Sequence, residues 1–355
     1  MSKLFPAPAE IPEFRTALLN WFDQNRRDLP WRRSKDPYAI WVSEIMLQQT
    51  RVAAVLVHYA NWMRRFPTVQ QLAAASEHEV LAAWSGLGYY RRARSLHRGA
   101  QTVVDEYQGK LSPTAIELRK LPGIGAYTAA AIASIAFNQP VAAVDGNVER
   151  VLLRQAGGGE TGPQKKPRNN LKQTWLKARD IQRLATALID PDRAGDFNQA
   201  MMELGATVCL PRNPLCLHCP VRASCRTRGA HPTTARKATQ IVDICYGLLT
   251  RESEGSTQVL LQQRHPTATV MPGMWELPRL DSASTAETKP MVALRHAIMQ
   301  TNYRVAVYPL PLAHRSAVES PEENQRWIEV ADLMRLPLTG LARKIFLRVR
   351  LLLRG

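Results

Sequence analysis

The sequence is short of the features that mark membrane and secreted proteins. No window approaches the roughly 20 uncharged apolar residues that a spanning helix needs. Residues 1–10 contain one Lys, one Glu and two Pro, with no apolar run behind them, so a signal peptide is not expected. Cysteine is scarce, with 5 in 355 residues and four of those crowded together. That argues against a disulfide scaffold and for a metal or cluster site in a reducing, cytoplasmic compartment. Repeats at solenoid periods are missing. Acid is short as well: 30 Asp and Glu stand against 47 Lys and Arg, a net charge of +17. This excess says little about fold. It points to a polyanionic partner, because Lys and Arg displace counterions from phosphates, although an anionic lipid surface would meet the same charge.

What is present is enough apolar sequence (45%) and enough length for two folded domains. Residues 11 to about 228 read as mainly helical. Apolar residues recur at three- and four-residue steps in Phe14–Trp21, Ile40–Tyr59, Val80–Trp84 and Thr128–Phe137. Breakers separate them at Asp36-Pro37, Phe66-Pro67, Gly86 and Gly88, Ser112-Pro113, and Pro122 to Gly125. Ser76 and Ser112 are candidate helix N-caps. Residues 157–170 are rich in Gly and Pro and read as an exposed loop, and 229–240 has linker composition. Beyond 240 the pattern turns mixed α/β: strands are predicted at Ile241–Thr250, Gln258–Gln263 and Tyr303–Tyr308, and helical stretches near Val330–Arg335 and Leu341–Leu353. Cys245, in the first of these strands, reads as a small core residue.

Cys209, Cys216, Cys219 and Cys225 follow the spacing C-x6-C-x2-C-x5-C within 17 residues, interrupted by Pro211, Pro214 and Pro220. Four thiolates so spaced could ligate zinc or a [4Fe–4S] cluster. Zinc is the commoner four-cysteine metal, but its sites usually pair two C-x2-C knuckles and only one short pair is present. His218, between two cysteines, reads as an exposed side chain. Leu121-Pro-Gly-Ile-Gly125 precedes the Ala-rich run Ala126–Ala136. Gly123 and Gly125 allow a tight turn whose amides, with a helix N-terminus behind them, suit one phosphate. A plain turn would look the same. Glu44 lies on an apolar helix with Ile40, Trp41 and Leu47 on its face. Desolvation there would raise its pKa and keep a proton available, but by itself it is more simply a helix glutamate whose charged end reaches water. Asp145, ahead of Gly146-Asn147-Val148, reads as an N-cap.

Several stretches together resemble the MutY adenine glycosylases of the endonuclease III, or helix-hairpin-helix, DNA glycosylase superfamily. They are RDLPWR (27–32), SEIMLQQTRV (43–52), GLGYY (86–90), LPGIGAYTA (121–129), VDGNVERV (144–151), FNQAMMELG (197–205) and the cysteine spacing. The resemblance covers about residues 11–228 closely and 241–355 more loosely. It implies a mainly α fold: a helix-hairpin-helix glycosylase domain (1–228) whose loop 209–225 holds a structural [4Fe–4S] cluster on Cys209, Cys216, Cys219 and Cys225, with Arg212, Arg222, Arg226 and Arg228 facing DNA. After the linker (229–240) it implies a Nudix-like α/β domain (241–355), from Met271-Pro-Gly-Met-Trp-Glu-Leu-Pro278. The acidic box for pyrophosphate hydrolysis is absent, so this domain reads as a mismatch-recognition module.

The implied activity is hydrolysis of the glycosidic bond of adenine opposite 8-oxoguanine or guanine in double-stranded DNA, by base flipping. Glu44 would be the general acid and Asp145 the carboxylate facing the oxocarbenium-like sugar, with Tyr127 and Asn147 beside them. Bifunctional relatives carry a lysine where this chain has Tyr127, so no Schiff-base lyase step is expected. Arg27, Leu29, Trp31, Arg32 and Glu203 would hold the adenine. Gln49, Thr50 and Leu87 would surround the opposite purine, and Tyr89 would wedge into the duplex. Leu121, Gly123 and Gly125 would form the phosphate-binding hairpin. Taken singly, Trp31 and Tyr127 also suit a core, and Glu203 a helix surface. The chain departs from its relatives where many carry Phe-Ser-His after an Arg-His pair: following Arg295-His296, Ile298, Met299 and Gln300 stand there. A monomer is expected, with no membrane association. Another monofunctional mismatch glycosylase on the same fold, a non-catalytic iron–sulfur DNA-binding protein and a zinc-binding structural module are the competing readings.

Overall fold

Prolines and capping side chains start the helices, and buried apolar stripes hold them. A computed structural model describes residues 8–157, 176–228, 240–280, 289–298, 301–309 and 324–352. Helix α1 (Ile11–Asn25) has a proline in its first turn and buries Phe14, Leu18, Leu19 and Phe22 along one stripe. Helix α2 (Pro37–Leu47) starts on Asp36, which accepts a hydrogen bond from the Tyr38 amide, and every residue from Tyr38 to Met46 is buried. The periodicity over Ile40–Tyr59 predicts one helix, but the chain leaves helical geometry after Leu47 and resumes in α3 (Val52–Arg65). Gln49 there takes φ of +56°, a left-handed conformation that no Gly or Pro announces. Next come α4 (Val69–Ala74), α5 (Glu77–Trp84) and α6 (Arg91–Tyr107). Ser76 caps α5 in a full capping box with Glu79.

Ser112 does not cap the following helix, α7 (Ala115–Leu118). Thr114 does, accepting from the Glu117 amide at 3.4 Å, while Ser112 Oγ accepts from the Thr114 amide. The helix therefore starts at Ala115, two residues later than a Ser112 cap would place it. Helices α8 (Ala126–Phe137), α9 (Gly146–Gln155), α10 (Ala178–Leu188) and α11 (Ala194–Thr207) complete the helical part.

These elements gather into two compact units. One comprises Met1–Val52, Thr68–Gln70 and Arg98–Ala235; the other comprises Ala53–Pro67, Gln71–His97 and Arg236–Gly355. Long-range packing, which local periodicity does not report, therefore groups residues 53–67 and 71–97 with the C-terminal residues. In the first unit, α1, α9, α10 and α11 share one core, with the Phe14 and Phe197 rings 6.4 Å apart. Helix α8 buries Thr128 through Ser134, and its small side chains let α2 and α11 pack against it. Gly205 on α11 lies so close to α9 that a Cβ there would sit 2.6 Å from Asn147 Cβ.

In the second unit, β1 (Gln240–Leu248) pairs in parallel with β7 (Thr301–Pro309) and antiparallel with β5 (Arg279–Leu280), while β6 (Val292–Ile298) lies antiparallel to β7. A second sheet joins β2 (Thr250–Ser253), β3 (Ser256–Gln263) and β4 (Trp275–Glu276), with β8 (Gln325–Glu329) also paired to β3. The predicted strand Ile241–Thr250 thus ends at Leu248, with Thr250 opening β2. Val330–Arg335 forms 3-10 turns, and helix α12 (Gly340–Arg348) follows on the Thr339 cap. Tyr246, Val259, Leu261, Trp275, Val307, Ile345 and Phe346 form this core. Cys245 is half-buried. The exposed loop read at 157–170, the linker at 229–240 and the departure at Met299 and Gln300 fall almost wholly outside the described residues. Among the described residues no helix is long and apolar enough to cross a membrane.

Candidate active site

A cleft of about 820 Å³ opens in the first unit, within the roughly 300–1,000 Å³ of small-molecule pockets. It lies where the end of α2, the starts of α8 and α9, and one face of α11 meet. Burial of α2 on all sides carries Glu44 inward with it, leaving it 6% exposed. Burial raises its pKa to about 7; the Tyr127 hydroxyl, donating to Oε2 at 2.7 Å, opposes the rise, Asp145 adds to it and Arg32 opposes it. Glu44 therefore does not snorkel to water: it is a carboxyl half protonated near neutrality. The Tyr127 hydroxyl, its own pKa raised by burial and then by the charges of Glu44 and Asp145, stays a proton donor; it also lies 3.1 Å from Met202 Sδ.

Asp145 is the N-cap of α9, as the sequence suggests. Its Oδ1 accepts from the Asn147 and Val148 amides at 2.9 and 2.8 Å, and its Oδ2 from Asn147 Nδ2 at 2.8 Å. Three donors fix the carboxylate at a helix N-terminus, the end that favours negative charge. Asn147 is braced in turn by Arg150 Nη2, which reaches its Oδ1 at 3.0 Å.

Glu203 on α11 is a third carboxylate, 1% exposed and not on a helix surface. Burial would push it up, but hydrogen bonds from Arg27 and Arg32 outweigh this and hold its pKa at about 2. Arg27 donates through Nε at 2.6 Å and Nη2 at 2.8 Å, and Arg32 through Nη2 at 2.8 Å. One cleft thus holds a permanent anion at 203 and a proton-carrying carboxyl at 44, the division of environment that acid–base chemistry requires.

Leu29 and Trp31 are buried yet line the cleft, as do Gln49 and Thr50 at the break after α2. Gly123 and Gly125 line it too. Ile124 N–H donates to Leu121 O across a Pro-Gly turn in which Gly123 takes φ of +80°. Gly125 caps α8 with no side chain, and a Cβ there would touch nothing. Leu121 is core rather than lining. Leu87, buried, and Tyr89, 44% exposed, belong to the second unit. Sequence reasoning passed over Gln48, which lines the cleft and donates to Thr128 Oγ1 at 3.3 Å, and Met202. Their neighbours Gln49 and Glu203 were the available signal.

Cys209, Cys216, Cys219 and Cys225 line one separate cavity together. Arg154, buried on α9, donates to Cys209 Sγ at 3.4 Å and Leu210 O at 2.7 Å. Burial pushes the Cys219 thiol up to about 12, and the other three cysteines add to the rise. Among the described residues no three His, Cys, Asp or Glu side chains close on a single-ion site. Arg212, Arg222, Arg226, Arg228 and His218 are exposed around the loop.

Helical fold, glycine hairpin and paired carboxylates define a helix-hairpin-helix base-excision scaffold, and the model of the HhH-GPD superfamily of base excision DNA repair proteins matches residues 42–178. The adenine DNA glycosylase of Mycolicibacterium smegmatis is 45% identical over 215 residues, covering 60% of this chain and 69% of that protein. The adenine DNA glycosylase of Homo sapiens is 50% identical over 234 residues, 63% of this chain. This chain belongs to the adenine DNA glycosylase family. It spans 41% of the length of the human relative. Among solved structures, a thermostable thymine-DNA glycosylase matches 61% of this chain and 96% of its own at 28% identity, with a TM-score of 0.54.

Proposed function

We propose that this chain is a monofunctional adenine DNA glycosylase that cuts the N-glycosidic bond of adenine opposite 8-oxoguanine or guanine in double-stranded DNA. The observation that carries this reading is Glu44: an enclosed carboxyl whose pKa burial raises to about 7, in the same cleft as a capped Asp145. Adenine is a poor leaving group as an anion. Glu44 delivers a proton to the flipped ring, so the base departs neutral. Tyr127 holds the carboxyl by its Oε2 and leaves the other oxygen for the base. Asp145, steadied by Asn147, faces the cationic sugar until water attacks C1′. Family membership supports adenine as the base, with the Glu203–Arg27–Arg32 clamp, Leu29 and Trp31 forming its walls. Gln49, Thr50 and Leu87 meet the opposite purine, Tyr89 wedges into the duplex, and the Gly123–Gly125 hairpin takes a phosphate. Without an amine at position 127, no Schiff base forms.

Four cysteines around one cavity suit a [4Fe–4S] cluster. Thiols this buried need a cationic core to ionise together, and a single short C-x2-C pair, where zinc sites usually pair two, favours a cluster over zinc. The cluster, when bound, holds the 209–225 loop in shape and leaves its arginines facing phosphate. We read residues 241–355 as a Nudix-like recognition module without hydrolase chemistry, and the protein as a cytoplasmic monomer.

The test is base release from duplexes carrying A opposite 8-oxoguanine, G, C or T, with alkali added to reveal abasic sites. Release from the first two without nicking before alkali is the expected result, and Glu44→Gln should abolish it. Release of thymine instead would turn the reading to the thymine-specific relatives of this fold. Purified protein should be brown, with visible absorbance.

A further inference from the structure

In the second unit, the turn from Ser85 to Tyr90 holds three residues at positive φ: Gly86 at +105°, Gly88 at +70° and Tyr89 at +50°. A tyrosine takes this conformation only when its surroundings impose it. The inner side of the turn is held by its own helices. Trp84 Nε1 donates to Gly88 O at 2.9 Å, and Arg92 Nη2 reaches the same carbonyl at 3.3 Å. The Arg92 guanidinium lies 5.2 Å from the Tyr89 ring centre and 5.4 Å from that of Trp84, a cation–π stack. The His58 ring closes the space beside Gly86, where a Cβ would come within 3.1 Å of it.

The two ends of the turn are held from far along the chain. Ser85 Oγ and Tyr90 Oη each donate to the carbonyl of Leu338 at 3.0 Å, using both of its lone pairs. Arg343 Nη1 donates to Ser85 O at 3.2 Å. Ser85 and Tyr90 are both 3% exposed, so these bonds are shielded from water. Tyr89, between them, is 44% exposed.

We propose that Ser85 and Tyr90 are positioning residues that clamp the turn to Leu338, so that the C-terminal part of the chain presets Tyr89 for insertion into DNA. The inference rests on Tyr89 being the wedge of the proposed function. Flipping a nucleotide must offset the loss of its stacking. A turn that had to be ordered on contact would add its own ordering cost, and a turn already clamped does not. The C-terminal residues therefore act on base extrusion through the turn as well as through any contact of their own with the opposite base.

The experiment uses the full-length protein with its cluster and a duplex carrying 2-aminopurine beside the mispaired adenine. Its fluorescence rises on unstacking and is followed by stopped flow. Tyr90→Phe keeps the ring and removes one donor, and Ser85→Ala removes the other. Each should slow unstacking about 3- to 10-fold, the range one lost hydrogen bond allows, with little change in the base-release rate once the adenine is extruded. In a Tyr89→Ala background the same substitutions should have no effect on unstacking. Equal losses in both backgrounds, or no loss in either, would overturn the proposal. If Tyr90→Phe fails to fold, Ser85→Ala carries the same cycle. A wild-type protein that unstacks the probe but releases no adenine would sink the enzymatic reading and leave this one standing.

Discussion

Glu44 and Tyr127 form one titrating unit, and its pH behaviour can be checked directly. Tyr127 donates to the Glu44 carboxylate and so resists the rise that burial imposes. Tyr127→Phe removes that resistance. The alkaline limb of the single-turnover pH–rate profile, expected near pH 7 in the wild type, should move to higher pH; an unmoved limb would assign it to another group. Stability follows the same proton. The folded pKa of about 7 lies above the ordinary 4.5, so between those values the native protein keeps a proton that the unfolded chain has released. Stability from this group is present at low pH and lost as pH rises through about 7. Glu44→Gln, which never ionises, should therefore gain in Tm over the wild type as pH goes from 5 to 8, by scanning calorimetry. A constant difference would mean that Glu44 is not buried as described.

Elements decide where these side chains point. Asp145 lines the cleft as the cap of α9, so the cap and its proposed catalytic orientation are one geometry. The start of α9 is seated against α11 through Gly205, where a Cβ would come 2.6 Å from Asn147 Cβ and 3.0 Å from its carbonyl oxygen. Gly205→Ala must displace that helix start. Misplacing a catalytic group by about 1 Å costs up to roughly a hundredfold, so base release should fall between about ten- and a hundredfold. Gly340→Ala, whose Cβ would meet nothing, should leave both rate and Tm unchanged. An active Gly205→Ala would dissociate the α9 cap from catalysis. The break between α2 and α3 is a second decision at this scale. Periodicity runs through it, yet the chain leaves helical geometry after Leu47, Gln49 takes a left-handed φ, and Gln49 and Thr50 line the cleft.

Over the whole molecule the excess of 17 positive charges should dominate affinity for DNA. Six to ten phosphate contacts would lower affinity by about 10³–10⁵ between 50 and 200 mM salt. Fluorescence anisotropy on a duplex lacking the mismatch would show a shallow slope if the charge lay away from the binding face. Much of the site was legible at this level of description: the Glu44, Asp145 and Glu203 stretches and the glycine hairpin all line one cleft. What escaped were groups whose importance comes from enclosure. Glu203 is legible as a pocket residue by resemblance, but its fixed negative charge is not, because Arg27 and Arg32, more than 170 positions away, supply it. Leu338 has no motif at all, because its backbone carbonyl carries the contact.

The linear chain by itself determined the helical and α/β halves, the hairpin, the cysteine spacing, the missing lysine at 127 and the cap at 145. These depend on residue type and short spacing, which local physics reads directly. Tertiary structure alone decided that Glu44 is enclosed and holds a proton, that Glu203 remains an anion, and that residues 53–67 and 71–97 pack with the C-terminal residues. Each of these is a matter of which groups exclude water from which others. Such exclusion is a property of distant segments brought together, with no counterpart in the order of residues along the chain.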